Sequence, residues 1–279
     1  MVLRLTSILL LLCLALRVQA QQQQNKTNSF VVFGDSYTTE SDKFCNGPRW
    51  VDQLMQTWDN TSLTNNAVGG AMCNDPSQDK SVYHQLENYL QTSPQNDPGT
   101  TIYSFFVGIN DLVHNIDSSA VLSCIAESIG RIHEKLQGKH FLVFNMVPFE
   151  RSPHITLNAS SVPYATAWVK QYNDNISRTM TNLTQSQPDL DIHIVDTYAT
   201  VSNVLDHPTD YGITESVQSA WFLQNGHPDP KTELAEGNKY FWYDITHMTN
   251  VVHTQMKNGV LAMPRLSAHT QPSSWFPLS

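Results

Sequence analysis

The stretch Phe30-Val31-Val32-Phe33-Gly34-Asp35-Ser36-Tyr37 decides the fold. Four consecutive apolar residues match a strand buried on both faces, as in a parallel sheet, rather than a half-wet strand, which would alternate. Gly34 stops it in a tight turn, and Ser36 then falls at the strand's carboxyl end, where open α/β sheets gather their ligands. A serine there acts as a nucleophile only if a base takes its proton and donors stabilise the oxyanion. Gly-Asp-Ser by itself also marks ordinary turns, so the rest of the chain has to supply base and donors.

Upstream, Arg4, the apolar run Ile8 to Leu16 and the pattern Val18-Gln19-Ala20 have the charged start, short core and small-residue cleavage site of a secretory signal, expected to be cut after Ala20. That run is far shorter than the ~20 residues that span a bilayer, and no later stretch approaches them, so no stable membrane anchor is expected. Residues 1–20 therefore read as a signal peptide, 21–28, opening on Gln21–Gln24, as a flexible tail, 29–262 as one domain, and 263–279 as a polar tail. Sequons at Asn25, Asn60, Asn158, Asn175 and Asn182 fit a secreted, extracellular glycoprotein.

The chain carries 16 Lys and Arg against 25 Asp and Glu, a formal net charge of −9, and losing Arg4 and Arg17 with the leader makes it more negative. Nucleic acid is excluded as a partner on that balance. Cys13 leaves with the leader, so Cys45, Cys73 and Cys124 allow one bridge in an oxidising compartment. Cys45–Cys73 is the expected pair, since both lie in loops after the first two predicted strands.

Downstream of Ser36, Trp50, Val51, Leu54, Met55 and Trp58 recur at helical spacing after Gly47-Pro48. Ser62 to Val68, Ile102 to Val107, Phe141 to Phe144 and Ile192 to Val195 read as further strands. Helices are predicted at Val82 to Leu90, from Ser118, as N-cap, to a stop at Gly138, and at Val162 to Leu183. Alternating strands and helices imply a parallel sheet covered on both faces, without an internal repeat. Asp206 to Asn238, rich in Pro, Gly, Asn and Asp, reads as a long irregular wall of the substrate site with one helical turn around Val217 to Phe222. A last helix should open at His247 or Met248 and reach Leu261. His133-Glu134 starts like a zinc-protease helix, but Gln137 stands where the second histidine belongs, so no metal or other cofactor is expected.

The later strand ends carry what acyl transfer requires. Asn65-Asn66-Ala67-Val68-Gly69-Gly70 offers glycine N–H groups with no side chain in the way. Gly108-Ile109-Asn110-Asp111 sets a side-chain amide, a good oxyanion donor, beside a glycine, with helix capping as the rival role for Asn110 or Asp111. In Tyr243-Asp244-Ile245-Thr246-His247 a carboxylate stands three residues before an imidazole, close enough to fix its ring.

Taken in order, Gly34-Asp35-Ser36, Gly70, Gly108-x-Asn110-Asp111 and Asp244-x-x-His247 resemble the four blocks of the SGNH, or GDSL, hydrolases, from about Ser29 to Ala262. The resemblance implies a three-layer α/β/α sandwich with a five-stranded parallel sheet in the order 2-1-3-4-5. It also implies Ser36 as nucleophile, His247 as general base and Asp244 as its partner, with the Ser36 and Gly70 N–H groups and the Asn110 amide as the oxyanion hole. No Gly-x-Ser-x-Gly is present, which argues against the α/β-hydrolase alternative.

Asn46-Gly47-Pro48-Arg49-Trp50-Val51, the segment Asn145 to Pro153 and Phe241-Trp242-Tyr243-Asp244 resemble the secreted fungal acetylesterases of carbohydrate esterase family 16. The chain departs from that pattern in the insert carrying Glu40, Asp42 and Cys45, at Ile245 and at Met248-Thr249, which bears on substrate more than on chemistry. The expected function is a secreted, monomeric serine esterase taking short acyl groups, acetyl first, from a small-molecule or oligosaccharide ester, with Trp50 and Trp221 as candidate sugar platforms. A lipase or lysophospholipase on the same scaffold and an inactive carbohydrate-binding protein are the alternatives.

Overall fold

Phe30, Val31, Val32 and Phe33 are wholly buried because the strand that contains them, β1 (Ser29–Gly34), lies inside the sheet rather than at an edge. It pairs in parallel with β2 (Ser62–Asn65) on one side and β3 (Thr101–Phe106) on the other. The sheet continues through β4 (His140–Phe144) and β5 (Asp191–Val195), all parallel, in the order β2-β1-β3-β4-β5. The computed structural model describes residues 29–40, 44–58, 60–75, 77 and 79–263. The expected signal peptide, the tail 21–28, the Asn25 sequon and all but Met263 of the expected C-terminal tail lie outside the described residues.

The pleat sends alternate side chains to opposite layers. Phe30 meets Trp50 and Trp58 edge-on, whereas Phe33 meets Tyr89 and stacks on Phe105 at 5.2 Å. Phe106 and Phe144 stack at 4.9 Å on the Trp50 side, and Tyr103 and Phe141 at 5.5 Å on the Tyr89 side. The Trp50 layer consists of the helices Trp50–Met55, Thr197–Asp206 and Asn250–Leu261, and the Tyr89 layer of Val82–Gln91, Ser118–Leu136 and Val162–Ser186. A Cβ on Gly34 would lie 2.3 Å from the Phe106 carbonyl oxygen, so only glycine lets the strand end close against β3 before the chain turns to Ser36.

Several expectations are corrected. The bridge is Cys73–Cys124, with Cα atoms 6.1 Å apart, and Cys45 is a buried free thiol. Cys124 faces inward from the Ser118–Leu136 helix onto the loop after β2, while the side chain of Asn46, next to Cys45, binds Glu233, Leu234, Asn238 and Asn250 in another part of the chain. Burial pushes the Cys45 thiol up to about 11. Trp50 is fully buried, and its Nε1 donates to Thr38 Oγ1 at 3.3 Å, so its aromatic area stabilises the core and the serine turn instead of meeting sugar. Trp221 is buried too, edge-on to Tyr240 at 5.5 Å and clustered with Tyr243.

Element ends also shift. Asp117, not Ser118, caps its helix, and Gln137 in the left-handed region ends it one residue before Gly138. The last helix begins at Asn250, after Thr249. The connection read as irregular contains the short helices Pro208–Tyr211, Trp221–Asn225 and Pro230–Gly237, the last capped by Asp229 with Pro230 in its first turn. Among the described sequons, Asn60, Asn158 and Asn182 are exposed, while Asn175 is half-buried and donates to the Gln171 carbonyl. No described helix is long and apolar enough to cross a membrane.

Trp50→Ala should destabilise the protein by about 3–5 kcal/mol, the range for emptying a fully buried aromatic site. Urea unfolding measures it. An unchanged unfolding midpoint together with a raised KM would return Trp50 to the substrate site.

Candidate active site

Ser36 follows β1 by two residues, in a turn where the Asp35 carbonyl accepts from the Thr38 and Thr39 N–H groups. Its Oγ lies 2.7 Å from His247 Nε2, although the two residues are 211 apart in sequence. His247 Nδ1 lies 2.8 Å from Asp244 Oδ2, while Asp244 Oδ1 accepts the N–H groups of Thr246 and His247 at 2.7 Å each. Burial opposes charge on Asp244, but the His247 hydrogen bond, the attraction of the imidazole and the two backbone donors outweigh it and hold its pKa below the usual value. A carboxylate, an imidazole and a hydroxyl thus stand in one hydrogen-bonded line. Tyr37, whose hydroxyl donates to the Thr246 carbonyl, ties the serine turn to the histidine segment.

The second and third blocks meet beside this line. Gly70 has φ +78°, a conformation glycine adopts without strain, and Ala71 donates back to Val68 to close the turn. Asn110 Nδ2 donates to the Ala71 carbonyl at 3.0 Å and lies 3.4 Å from Asp35 Oδ2, so its amide joins the loop after β3 both to the Gly70 turn and to the residue before Ser36. The position that would cap the Ile109–Val113 helix is Gly108, which removes the capping role considered for Asn110 or Asp111. Asp111 accepts the Cys73 N–H through both oxygens, at 3.0 and 3.2 Å, and with the Cys73–Cys124 bridge it fastens the glycine loop to the helical layer.

Three further residues shape the site, two of them, Gln85 and Phe44, without any signal in the sequence. Gln85, buried on the Val82–Gln91 helix, clamps Gly34 by accepting its N–H at 3.0 Å and donating to its carbonyl at 2.8 Å. The Phe44 ring lies 4.8 Å from that of His247. Asp35 is fully buried, and burial raises its pKa to about 7 despite the Tyr37 N–H that it accepts at 3.0 Å. Asp111 is raised to about 6, again chiefly by burial. The correction for Trp50 and Trp221 leaves neither in contact with this constellation as a platform.

The GDSL-like Lipase/Acylhydrolase family matches residues 30–259, so the chain belongs to that family. It is a hydrolase of the GDSL/SGNH type, and esterases are among the solved structures that share its fold. A member of the lipolytic G-D-S-L family from Veillonella parvula is 16% identical over 84% of this chain and 96% of its own, with a TM-score of 0.54. A catalytic mutant of an acetylxylan esterase from Geobacillus stearothermophilus is 13% identical over 85% of this chain and 93% of its own, with a TM-score of 0.51. No curated protein matches the chain in sequence.

The two buried carboxyls set a pH dependence. A folded-state pKa raised above 3.8 gives stability that is complete below about 4 and is lost as pH climbs through about 7 for Asp35 and about 6 for Asp111. Asp244, shifted the other way, loses its contribution only in acid, as pH falls through its lowered pKa. Asp35→Asn should therefore show a smaller fall in melting temperature from pH 4.5 to 7.5 than the parent protein. Two parallel melting curves would contradict the assignment.

Proposed function

We propose that the protein is a secreted serine esterase that removes short acyl groups, acetyl above all, from carbohydrate hydroxyls. The observation that carries the chemistry is the continuous line of Ser36 Oγ, His247 Nε2 and Nδ1, and Asp244 Oδ2, with contacts of 2.7 and 2.8 Å. His247 takes the Ser36 proton as Oγ attacks the acyl carbon, and Asp244 holds the ring tautomer and stabilises the imidazolium. The Ser36 and Gly70 N–H groups and the Asn110 amide receive the oxyanion. One Asn110 hydrogen is held by the Ala71 carbonyl at 3.0 Å, and the other, whose 3.4 Å contact with Asp35 is long, is the one offered to the developing charge. The imidazolium then protonates the leaving alcohol, and His247 activates a water molecule that frees the acyl group from Ser36.

A carbohydrate alcohol is supported by the likeness of Asn46 to Val51 and Phe241 to Asp244 to the fungal acetylesterases, and by the fold shared with an acetylxylan esterase. The N-terminal leader pattern and the exposed sequons Asn60, Asn158 and Asn182 support secretion with glycans attached, and we take the active form as a monomer. A lipid substrate is the second reading. It is favoured by exposed Val68, in the loop after β2, and by exposed Val113 and Ile116, at the end of and just after the short helix that follows β3, past the same strand ends as Ser36. An inactive sugar-binding role loses its platforms, because Trp50 and Trp221 are buried.

One experiment tests chemistry and substrate together. The parent protein should cleave 4-nitrophenyl acetate faster than the octanoate and decanoate, and should release acetate from acetylated xylo-oligosaccharides. Ser36→Ala should lower turnover by several orders of magnitude, and Asn110→Ala should lower kcat ~100-fold with little change in KM. Rising activity with chain length would favour the lipid reading. Near-normal turnover by folded Ser36→Ala would end the serine mechanism.

A further inference from the structure

Two side chains of opposite character cover the Gly69-Gly70 turn. A Cβ placed on Gly69 would fall 2.6 Å from Phe44 Cε2, so the Phe44 ring fills that space while also facing His247 at 4.8 Å. A Cβ placed on Gly70 would fall 2.8 Å from Lys80 Nζ, which puts the ammonium within about 4.3 Å of the Gly70 Cα, one carbon–carbon bond further on. The approach is on the side from which a side chain would grow, not along the N–H that serves the oxyanion. Lys80 therefore stands beside Gly70 and off the axis of its N–H.

Among the described residues this ammonium has no ion-pair partner, which is also true of Lys231, Lys257 and Arg178, but Lys80 is the one of these placed against Gly70. Its sequence neighbour Asp79 is exposed, and the Asp75 carboxylate accepts from the Ser77 N–H and hydroxyl. The whole chain is acidic, with a formal net charge of −9, so its long-range field disfavours anions everywhere except where a cation stands uncompensated. An unpaired ammonium over Gly70 and an aromatic ring over Gly69 suit a sugar that lays its C–H face on the ring and carries a carboxylate at its edge.

We propose that Lys80 selects esters that bear a carboxylate close to the scissile acyl group, namely acetylated acidic sugars. The proposal rests on the serine-esterase reading above and names its substrate class more closely. The ammonium acts on the bound ground state, so its effect falls on KM and weakens with salt.

The test uses an acetylated oligosaccharide containing a uronic acid and the same compound with that acid converted to its primary amide, which removes the charge at nearly the same size and adds no second ester. At low ionic strength the parent protein should favour the acid form by about fivefold in kcat/KM, the scale of one exposed ion pair, with the difference in KM. Lys80→Gln should abolish the preference and Lys80→Arg should keep it, and 0.5 M salt should shrink it in the parent protein. No preference in the parent protein would overturn the proposal. So would a Lys80→Gln loss that falls equally on both substrates and in kcat, which would make the ammonium an oxyanion donor or a structural prop. Ser36→Ala is run alongside. If it released acetate as fast as the parent, the serine reading itself would fall, a result separable from a missing charge preference in a protein that depends on Ser36.

Discussion

A contact of 2.7 Å between Ser36 and His247, residues 211 positions apart, is the constraint on which the remaining structure depends. An imidazole can take a serine proton only within hydrogen-bond reach, so both ends of the domain have to be fixed to a fraction of an ångström. The serine end is fixed by the sheet. β1 is paired on both sides, Gly34 is pressed against the Phe106 carbonyl, and Gln85 holds both backbone groups of Gly34. The histidine end is fixed by Asp244, which binds the ring and the backbone of His247 at once, and by the Tyr37–Thr246 bond that joins the two segments directly. Trp50 braces the same turn from below through Thr38.

Holding the site in this way has an electrostatic cost. Asp35 and Asp111 lie buried, and each has its pKa raised chiefly by loss of water. Their hydrogen bonds explain why such groups stand here: Asp35 receives the Tyr37 N–H and meets the Asn110 amide, and Asp111 receives the Cys73 N–H. Each carboxyl thus organises backbone or amide donors around Ser36. A stable apolar replacement would leave those donors unsatisfied in a dry environment, itself a penalty of about 1–3 kcal/mol apiece.

What the sequence disclosed follows from how local each signal is. An apolar run ended by glycine is a local property, so the strands are legible together with Ser36, Gly70 and Asn110 in the loops that follow the first three, whereas Asp244 and His247 follow no strand and are marked only by their three-residue spacing. Strand order is not local, and it was legible only because the four blocks resemble a family. The Cys73–Cys124 bridge was misread as Cys45–Cys73, because loop membership says nothing about which way Cys124 points from its helix. Trp50 was ambiguous for a related reason: an aromatic at helical spacing fits a core and a sugar platform equally well, and only the packing of Phe30 and Phe144 against it decides. The segment from Asp206 to Asn238 was read from its Pro and Gly content as irregular, yet Asp229-Pro230 is a helix-start pair, and the chain uses it as one. Gln85, Phe44 and Lys80 had no sequence signal at all, since each acts on the site from a different loop or helix.

The central claim is that Ser36 is a nucleophile activated by His247 and Asp244. The most direct measurement is covalent labelling with an organophosphate ester that releases 4-nitrophenol on attack, followed by intact-mass and peptide-level mass spectrometry. The account predicts one equivalent of 4-nitrophenol released per chain, one phosphoryl adduct, and that adduct on Ser36. A protein that stays unlabelled while it hydrolyses esters, or one labelled stoichiometrically on another residue, would contradict it.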